Sequence, residues 1–298
     1  MKKPAGICLL CLLLVFLAGC GQQEKTATPA IGDVVQEKQD AYSCVFDGVK
    51  RDFLLELPAE TEGAPLVLML PGYGNTAESF HLQTRFEQDA CPRGYAVAYV
   101  TGLPNPNVPT SANGWNSNVD PEGNRDVEFL AALADWLQNA YALDKSRTYA
   151  VGFSNGAFMT HRLAMDAQDT FTAVVSVAGL MPESVWEERR QDNSVGFFQI
   201  TGEKDETVPK NSDGSARYSR APAIEDVMDY WADSNGLKLS ETELIGDASV
   251  LTKYKSAERQ PQVWHLVVSD GHHSWPNEQY NQIDTNALIL EFLDSQKS

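Results

Sequence analysis

The chain has 298 residues, 43% of them hydrophobic and 21% charged, the balance of a globular protein with a real core. Acids outnumber bases 41 to 23, for a formal net charge of −18. So acidic a surface repels nucleic acid and anionic polymers and leaves a neutral or weakly charged partner as the expectation.

The N-terminus reads as a targeting segment. Lys2 and Lys3 precede an apolar run over residues 7–17, too short and wrongly flanked for a dedicated membrane span but suited to a secretory signal. Leu17-Ala18-Gly19-Cys20 reads as a bacterial lipobox. Residues 1–19 are then a removable signal peptide, and lipidated Cys20 is a membrane anchor on the extracytoplasmic side of the cell envelope. Residues 20–40, polar with Gln, Glu, Lys, Thr and Pro, read as a flexible tether, and 41–298 as a single domain. Cys8 and Cys11 fall inside the signal. Cys44 and Cys91 are an even pair in an oxidising compartment, either bridged to one another or two separate buried thiols.

Residues 43–46 and 49–57 flank Asp47-Gly48, a strong hairpin turn signal, and predict an antiparallel edge. Residues 65–70 form a continuous apolar run, as in a strand buried on both faces. The glycine-rich loop Pro71-Gly72-Tyr73-Gly74 follows, placed where a backbone N–H, here that of Tyr73, can serve an oxyanion together with that of Asn155. Helical spacing covers 76–89, and 96–100 reads as the next strand. Residues 101–124 are a long loop rich in Asn and Pro, and loops of that length in a compact domain are commonly functional. Its Trp115 is either an aromatic wall of the site or a plug that buries the loop. Val127, Leu130, Ala131, Ala134 and Leu137 recur at helical spacing over 125–141, with Phe129, Leu133 and Trp136 widening the apolar face of a crossover helix.

Gly152-Phe153-Ser154-Asn155-Gly156 is Gly-x-Ser-x-Gly between a β-branched run and a helix-compatible one. In this nucleophile elbow a strained turn lifts the serine hydroxyl above the end of a sheet. The helix that follows points its N–H groups and positive dipole end toward the hydroxyl. Strands over 171–178 and 196–200, a helix over 223–234, a strand over 262–268 and a helix over 283–293 complete an α/β alternation. The loop over 201–209 holds three acids, Glu203, Asp205 and Glu206, and the loop after the last strand holds His272 and His273. Serine, acid and histidine in this order, each after a strand, are the parts of a charge relay. His81 and His161 on predicted helices and His265 in a strand read as packed or surface residues. With no His-Glu-x-x-His, phosphate loop or spaced Cys/His set, no metal or organic cofactor is expected.

These residues resemble the secreted polyhydroxybutyrate depolymerase and feruloyl esterase-like α/β-hydrolases. The resemblance rests on Gly114-Trp115-Asn116, Asp126-Val127-x-Phe129-Leu130, the elbow, Gly202-x-x-Asp205-x-x-Val208-Pro209 and His273-Ser274-Trp275-Pro276, and covers about 43–293. It departs at Pro71, where the family has histidine, and at His272, where it has glycine. It implies the α/β-hydrolase fold, a mostly parallel sheet with helices on both faces, and Ser154, Asp205 and His273 as nucleophile, acid and base. The expected activity is serine carboxylic ester hydrolysis through an acyl-enzyme, on feruloyl or acetyl esters of soluble oligosaccharides, with Trp115 and Trp275 as substrate-binding aromatics. The alternatives are a polyhydroxyalkanoate depolymerase or oligomer hydrolase and, from another class, a catalytically dead lipid-anchored binding protein.

Overall fold

The computed structural model describes residues 29–104, 112–191, 193–209, 221–257 and 261–296, so Cys20 and the signal and lipobox expected before it lie outside the described residues. The chain opens with an antiparallel edge, β1 (Gly32–Gln36), β2 (Ala41–Phe46) and β3 (Val49–Glu56). Asp47 and Gly48 both have positive φ, at 51° and 76°, the geometry of the two-residue turn that matches strand twist. Within the tether expected over 20–40, residues 32–36 are a strand, β1. Short, with Gly, Asp and Gln around its two valines, it pairs with the otherwise open edge of β2, Val35 opposite Ser43, while Val34 packs against the core.

β4 (Leu66–Leu70) is buried at every position. Leu66, Leu68 and Leu70 face one core and Val67 and Met69 the other, which is why the run shows no polar alternation. The helical stretch expected over 76–89 is broken into α1 (Ala77–Thr84) and α2 (Glu87–Ala90), because Arg85 turns left-handed at φ 45°. A 3-10 turn at Cys91–Arg93 leads into β5 (Ala96–Val100). Two-residue strands β6 (Leu103–Pro104) and β7 (Asn113–Gly114) pair across the neck of the long loop. Then come α3 (Asp126–Tyr141), β8 (Thr148–Phe153), α4 (Asn155–Asp166), β9 (Ala173–Val177), α5 (Glu183–Glu187), β10 (Gly196–Gly202) and α6 (Ile224–Ser234). The hairpin of β11 (Leu239–Ile245) and β12 (Ser249–Lys255) precedes β13 (Val263–Val268), α7 (Glu278–Asn281) and α8 (Thr285–Ser295).

Among the described residues, eleven strands form one sheet in the order β1-β2-β3-β5-β4-β8-β9-β10-β13-β12-β11. The six from β5 to β13 run parallel, and both flanks are antiparallel. Helices α3, α4 and α6 cover one face and α1, α2 and α8 the other. β4 leads to β5 on one side, whereas β5 leads through α3 to β8 on the opposite side of β4. The loops after β4 and β8 therefore part at a topological switch point, the place where open α/β sheets bind ligands.

The sheet also settles the cysteines. Cys44 is buried in the core under α3, and Cys91 packs against the core on the other face. Both thiols are free, so the bridge is not made: the sheet stands between them. Burial pushes the Cys44 thiol up to about 11 and that of Cys91 up to about 12, which keeps both protonated and unreactive.

Candidate active site

The elbow is built by crowding. A Cβ on Gly152 would run into the Gly156 carbonyl, and one on Gly156 into the Leu70 carbonyl. Only glycine lets β8, α4 and the end of β4 approach this closely. Between them Ser154 is held at φ 53° and ψ −117°, a strained conformation costing about 1–3 kcal/mol that the surrounding packing imposes. Its N–H donates to the Val177 carbonyl at 2.9 Å, so β9 also holds the turn.

The acid and the base arrive on neighbouring parallel strands. Gly202 at the end of β10 is in register with Val268 at the end of β13. Beyond them Glu203 N–H donates to the Val268 carbonyl at 3.0 Å and Lys204 N–H to the Gly271 carbonyl at 2.8 Å, so the two loops are stitched together. Asp205, its side chain fully buried, accepts the N–H groups of Thr207 and Val208 on Oδ1 at 2.9 and 2.7 Å. Its Oδ2 lies 2.8 Å from His273 Nδ1, and His273 Nε2 lies 2.9 Å from Ser154 Oγ. Glu203, Glu206 and His272 are exposed and outside this line. The imidazole packs beside the Phe153 ring, with centroids 5.2 Å apart.

The residues expected as oxyanion donors, Tyr73 and Asn155, adjoin the same serine in the fold and in the chain. Gly72 presses so close that a Cβ there would lie 3.3 Å from Ser154 Cβ, which runs the peptide of Tyr73 past the nucleophile. Asn155 opens α4, where first-turn N–H groups have no acceptor within the helix.

Trp115 and Trp275, expected as substrate-binding walls, are corrected by their burial. Trp115 is 6% exposed, donates its indole N–H to the Pro71 carbonyl at 3.0 Å and its backbone N–H to Asn155 Oδ1 at 2.8 Å. Trp275 is 7% exposed and meets Phe80 of α1 edge to face at 5.6 Å, tying the histidine loop to the helix beneath. The exposed aromatic of these loops is instead Tyr73, half exposed, with its ring beside Gly114.

The support below Trp115 is tertiary and is not evident from the sequence. Asp126, at the first turn of α3, pairs with Arg51 of β3 at 2.5 Å, the two side chains 0% and 3% exposed. The other carboxylate oxygen of Asp126 accepts the Asn116 N–H at 2.8 Å, Arg162 of α4 donates to the Asn116 carbonyl, and the Arg51 guanidinium lies 3.9 Å from the Phe129 ring centre. One signal was available: Arg51 alternates with Phe53 and Leu55, so it shares their inward face and needs a buried acid.

The sheet, the elbow and the Ser154–His273–Asp205 line together define the α/β-hydrolase fold. The chain's fold is similar to that of an acetyl xylan esterase from Aspergillus awamori, with a TM-score of 0.60 at 14% identity over 82% of this chain and 94% of that one. In sequence, a profile of the prolyl oligopeptidase family matches residues 92–231, which hold Ser154 and Asp205 and stop short of His273. A protein of Nocardia uniformis subsp. tsuyamanensis named as an esterase, NocK, is 36% identical over 157 residues, 51% of this chain and 43% of that protein. Acetylxylan esterase A of Emericella nidulans is 29% identical over 133 residues, 43% of this chain and 42% of the relative. The chain thus matches less than half the length of these relatives.

Proposed function

We propose that the chain is a serine carboxylic ester hydrolase working through an acyl-enzyme. The observation that carries this is the unbroken line Asp205–His273–Ser154, with contacts of 2.8 and 2.9 Å. His273 Nε2 takes the Ser154 proton as Oγ bonds to the ester carbonyl carbon, and the carbonyl electron pair moves onto oxygen, facing the N–H groups of Tyr73 and Asn155. Collapse breaks the bond to the alcohol, which leaves with the proton from His273. Water then repeats the sequence on the acyl-serine, releasing the acid. Asp205 holds the imidazole in the tautomer that leaves Nε2 open to the serine. Its own oxygens are kept in place by the Thr207 and Val208 N–H groups.

The substrates we infer are acetyl and feruloyl esters of soluble oligosaccharides. The names of the acetylxylan esterase relatives support this, as does a net charge of −18 that disfavours anionic polymers. Tyr73, rather than Trp115, is the aromatic at the rim. Lipidation of Cys20 would hold the enzyme outside the cytoplasm, where such fragments diffuse to the cell; acyl-alkyne labelling that persists in Cys20→Ala would remove the anchor from this reading. For the chemistry, the full chain is given acetylated and feruloylated xylo-oligosaccharides, and a fluorophosphonate probe is mapped by peptide mass. Release of acetate or ferulate with the probe on Ser154 is expected. No release and no labelling would sink the esterase, and clearing of a polyhydroxybutyrate suspension without sugar-ester release would move its substrate to polyesters.

A further inference from the structure

The two oxyanion donors sit on loops with no strand or helix in common. Tyr73 belongs to the turn after β4, and Asn155 to the elbow after β8. A donor is useful only if it already points to where the oxyanion will form, and a displacement of about 1 Å can cost a hundredfold in rate. Something must fix the two loops relative to one another.

Trp115 touches both. Its indole N–H reaches the Pro71 carbonyl at 3.0 Å, two residues before Tyr73, and its backbone N–H reaches Asn155 Oδ1 at 2.8 Å. Gly114 lets the Tyr73 ring close over this contact, since a Cβ there would lie 3.0 Å from the ring and 3.1 Å from Asn155 Oδ1. Trp115 is itself immobilised from below. Asn116 is gripped by Asp126 and Arg162, and the Gly74 N–H donates to the Asn113 carbonyl at 2.8 Å. At 6% exposure the indole offers a substrate no face.

We propose that Trp115 is a positioning residue that braces the two halves of the oxyanion hole against each other. This rests on the esterase reading above. The brace acts through Pro71 and Asn155 and touches no reacting atom. Its loss therefore weakens stabilisation of the tetrahedral state and leaves ground-state binding and the titration of the relay where they were.

The test compares the full-length wild type with Trp115→Phe, with Asn155→Leu, and with the chain carrying 3-benzothienylalanine at 115, which keeps the bicyclic shape and lacks the N–H. For each, kcat and KM on p-nitrophenyl acetate, the pH profile of kcat/KM, and the affinity for an aryl trifluoromethyl ketone are measured. That ketone adds Ser154 Oγ and carries an oxyanion into the hole. We expect kcat and ketone affinity to fall together by about 10-fold to 100-fold, with KM within about twofold, the pH profile unmoved and the benzothienyl chain as thermostable as wild type. The brace is overturned if the benzothienyl chain and Asn155→Leu keep both kcat and ketone affinity within about twofold of wild type, or if the loss lies in KM. A wild type that neither turns over the ester nor binds the ketone overturns the esterase reading, and the brace with it.

Discussion

The elbow at 152–156 and the loop around 113–126 meet at Asn155, yet they are specified in different ways. In the elbow the demand is local: two glycines and a serine within five residues, because the Gly156 and Leu70 carbonyls leave no room for a Cβ. In the loop the demand is tertiary. Trp115, Asn116 and Asp126 act through Pro71, Asn155, Arg51 and Arg162, on three other segments of the chain. Chemistry that depends on local spacing is written as a motif, whereas its support is written as burial that shows only after folding.

The largest effect should come from the side written as motif. In Asp205→Asn the shape and the Thr207 and Val208 contacts can persist, but the amide favours the wrong imidazole tautomer, and a loss of about ten-thousandfold in kcat is the precedent. The exposed neighbours make the control. Glu203→Gln and Glu206→Gln should stay within about twofold on p-nitrophenyl acetate, since surface changes away from packed features are nearly neutral. A Glu variant more damaging than Asp205→Asn would dissolve the assignment of the acid.

That division explains how much could be read in advance. The buried strands, the crossover helix over 126–141 and the order serine, acid, histidine follow from continuous apolar runs, helical spacing and short motifs. What escaped has its own physical causes. β11 is the edge strand of this side, with Glu241, Glu243 and most of its other residues exposed, and β12 beside it carries Thr252, Lys253 and Lys255, so no apolar alternation marks them. Gly246 with positive φ at their turn was the only local sign. The break at Arg85 splits a run whose spacing is helical throughout, because a left-handed residue leaves no trace in periodicity. Cys44 and Cys91 invited pairing by number, and which face of a sheet each occupies is decided only when β2 and α2 take their places. Trp115 and Trp275 looked like binding aromatics because tryptophan serves equally as wall and as plug.

The packed side of the comparison breaks at Asp126. Asp126→Ala leaves the Arg51 guanidinium buried with no carboxylate and releases the Asn116 N–H. Breaking a buried pair in this way costs about 3–5 kcal/mol. Chemical denaturation should report that loss, with a fall in Tm on the order of 10 °C. Replacing both partners with apolar residues, Arg51→Met with Asp126→Leu, should recover much of it, because the desolvation of two charges is removed along with their attraction. A loss below about 1 kcal/mol in Asp126→Ala would mean that the pair carries neither the loop nor the fold.

His161 stands on the helix that opens at the elbow but is turned into the core. It is about 1% exposed, its Nε2 lies 3.2 Å from Ser176 Oγ, and its ring packs against Phe197 at 4.9 Å between centroids. Burial, which penalises the charged form, lowers its pKa from 6.5 to about 3, against a smaller opposing contact from Gln199. The unfolded chain, with an ordinary histidine, binds a proton that the folded chain refuses throughout that interval. The stability linked to this group is therefore complete above about pH 6.5 and is lost as the pH falls from there toward about 3, by up to about 1.4 kcal/mol per pH unit. His161→Gln removes the linkage. At pH 7 the variant should be less stable by about 1 kcal/mol for imperfect packing. At pH 5 wild type will have lost about 2 kcal/mol that the variant keeps, so the order of their urea midpoints should reverse. Equal losses in the two proteins between pH 7 and pH 5 would show that His161 is protonated in the fold, and that the elbow helix rests on a charged contact rather than on a neutral, packed ring.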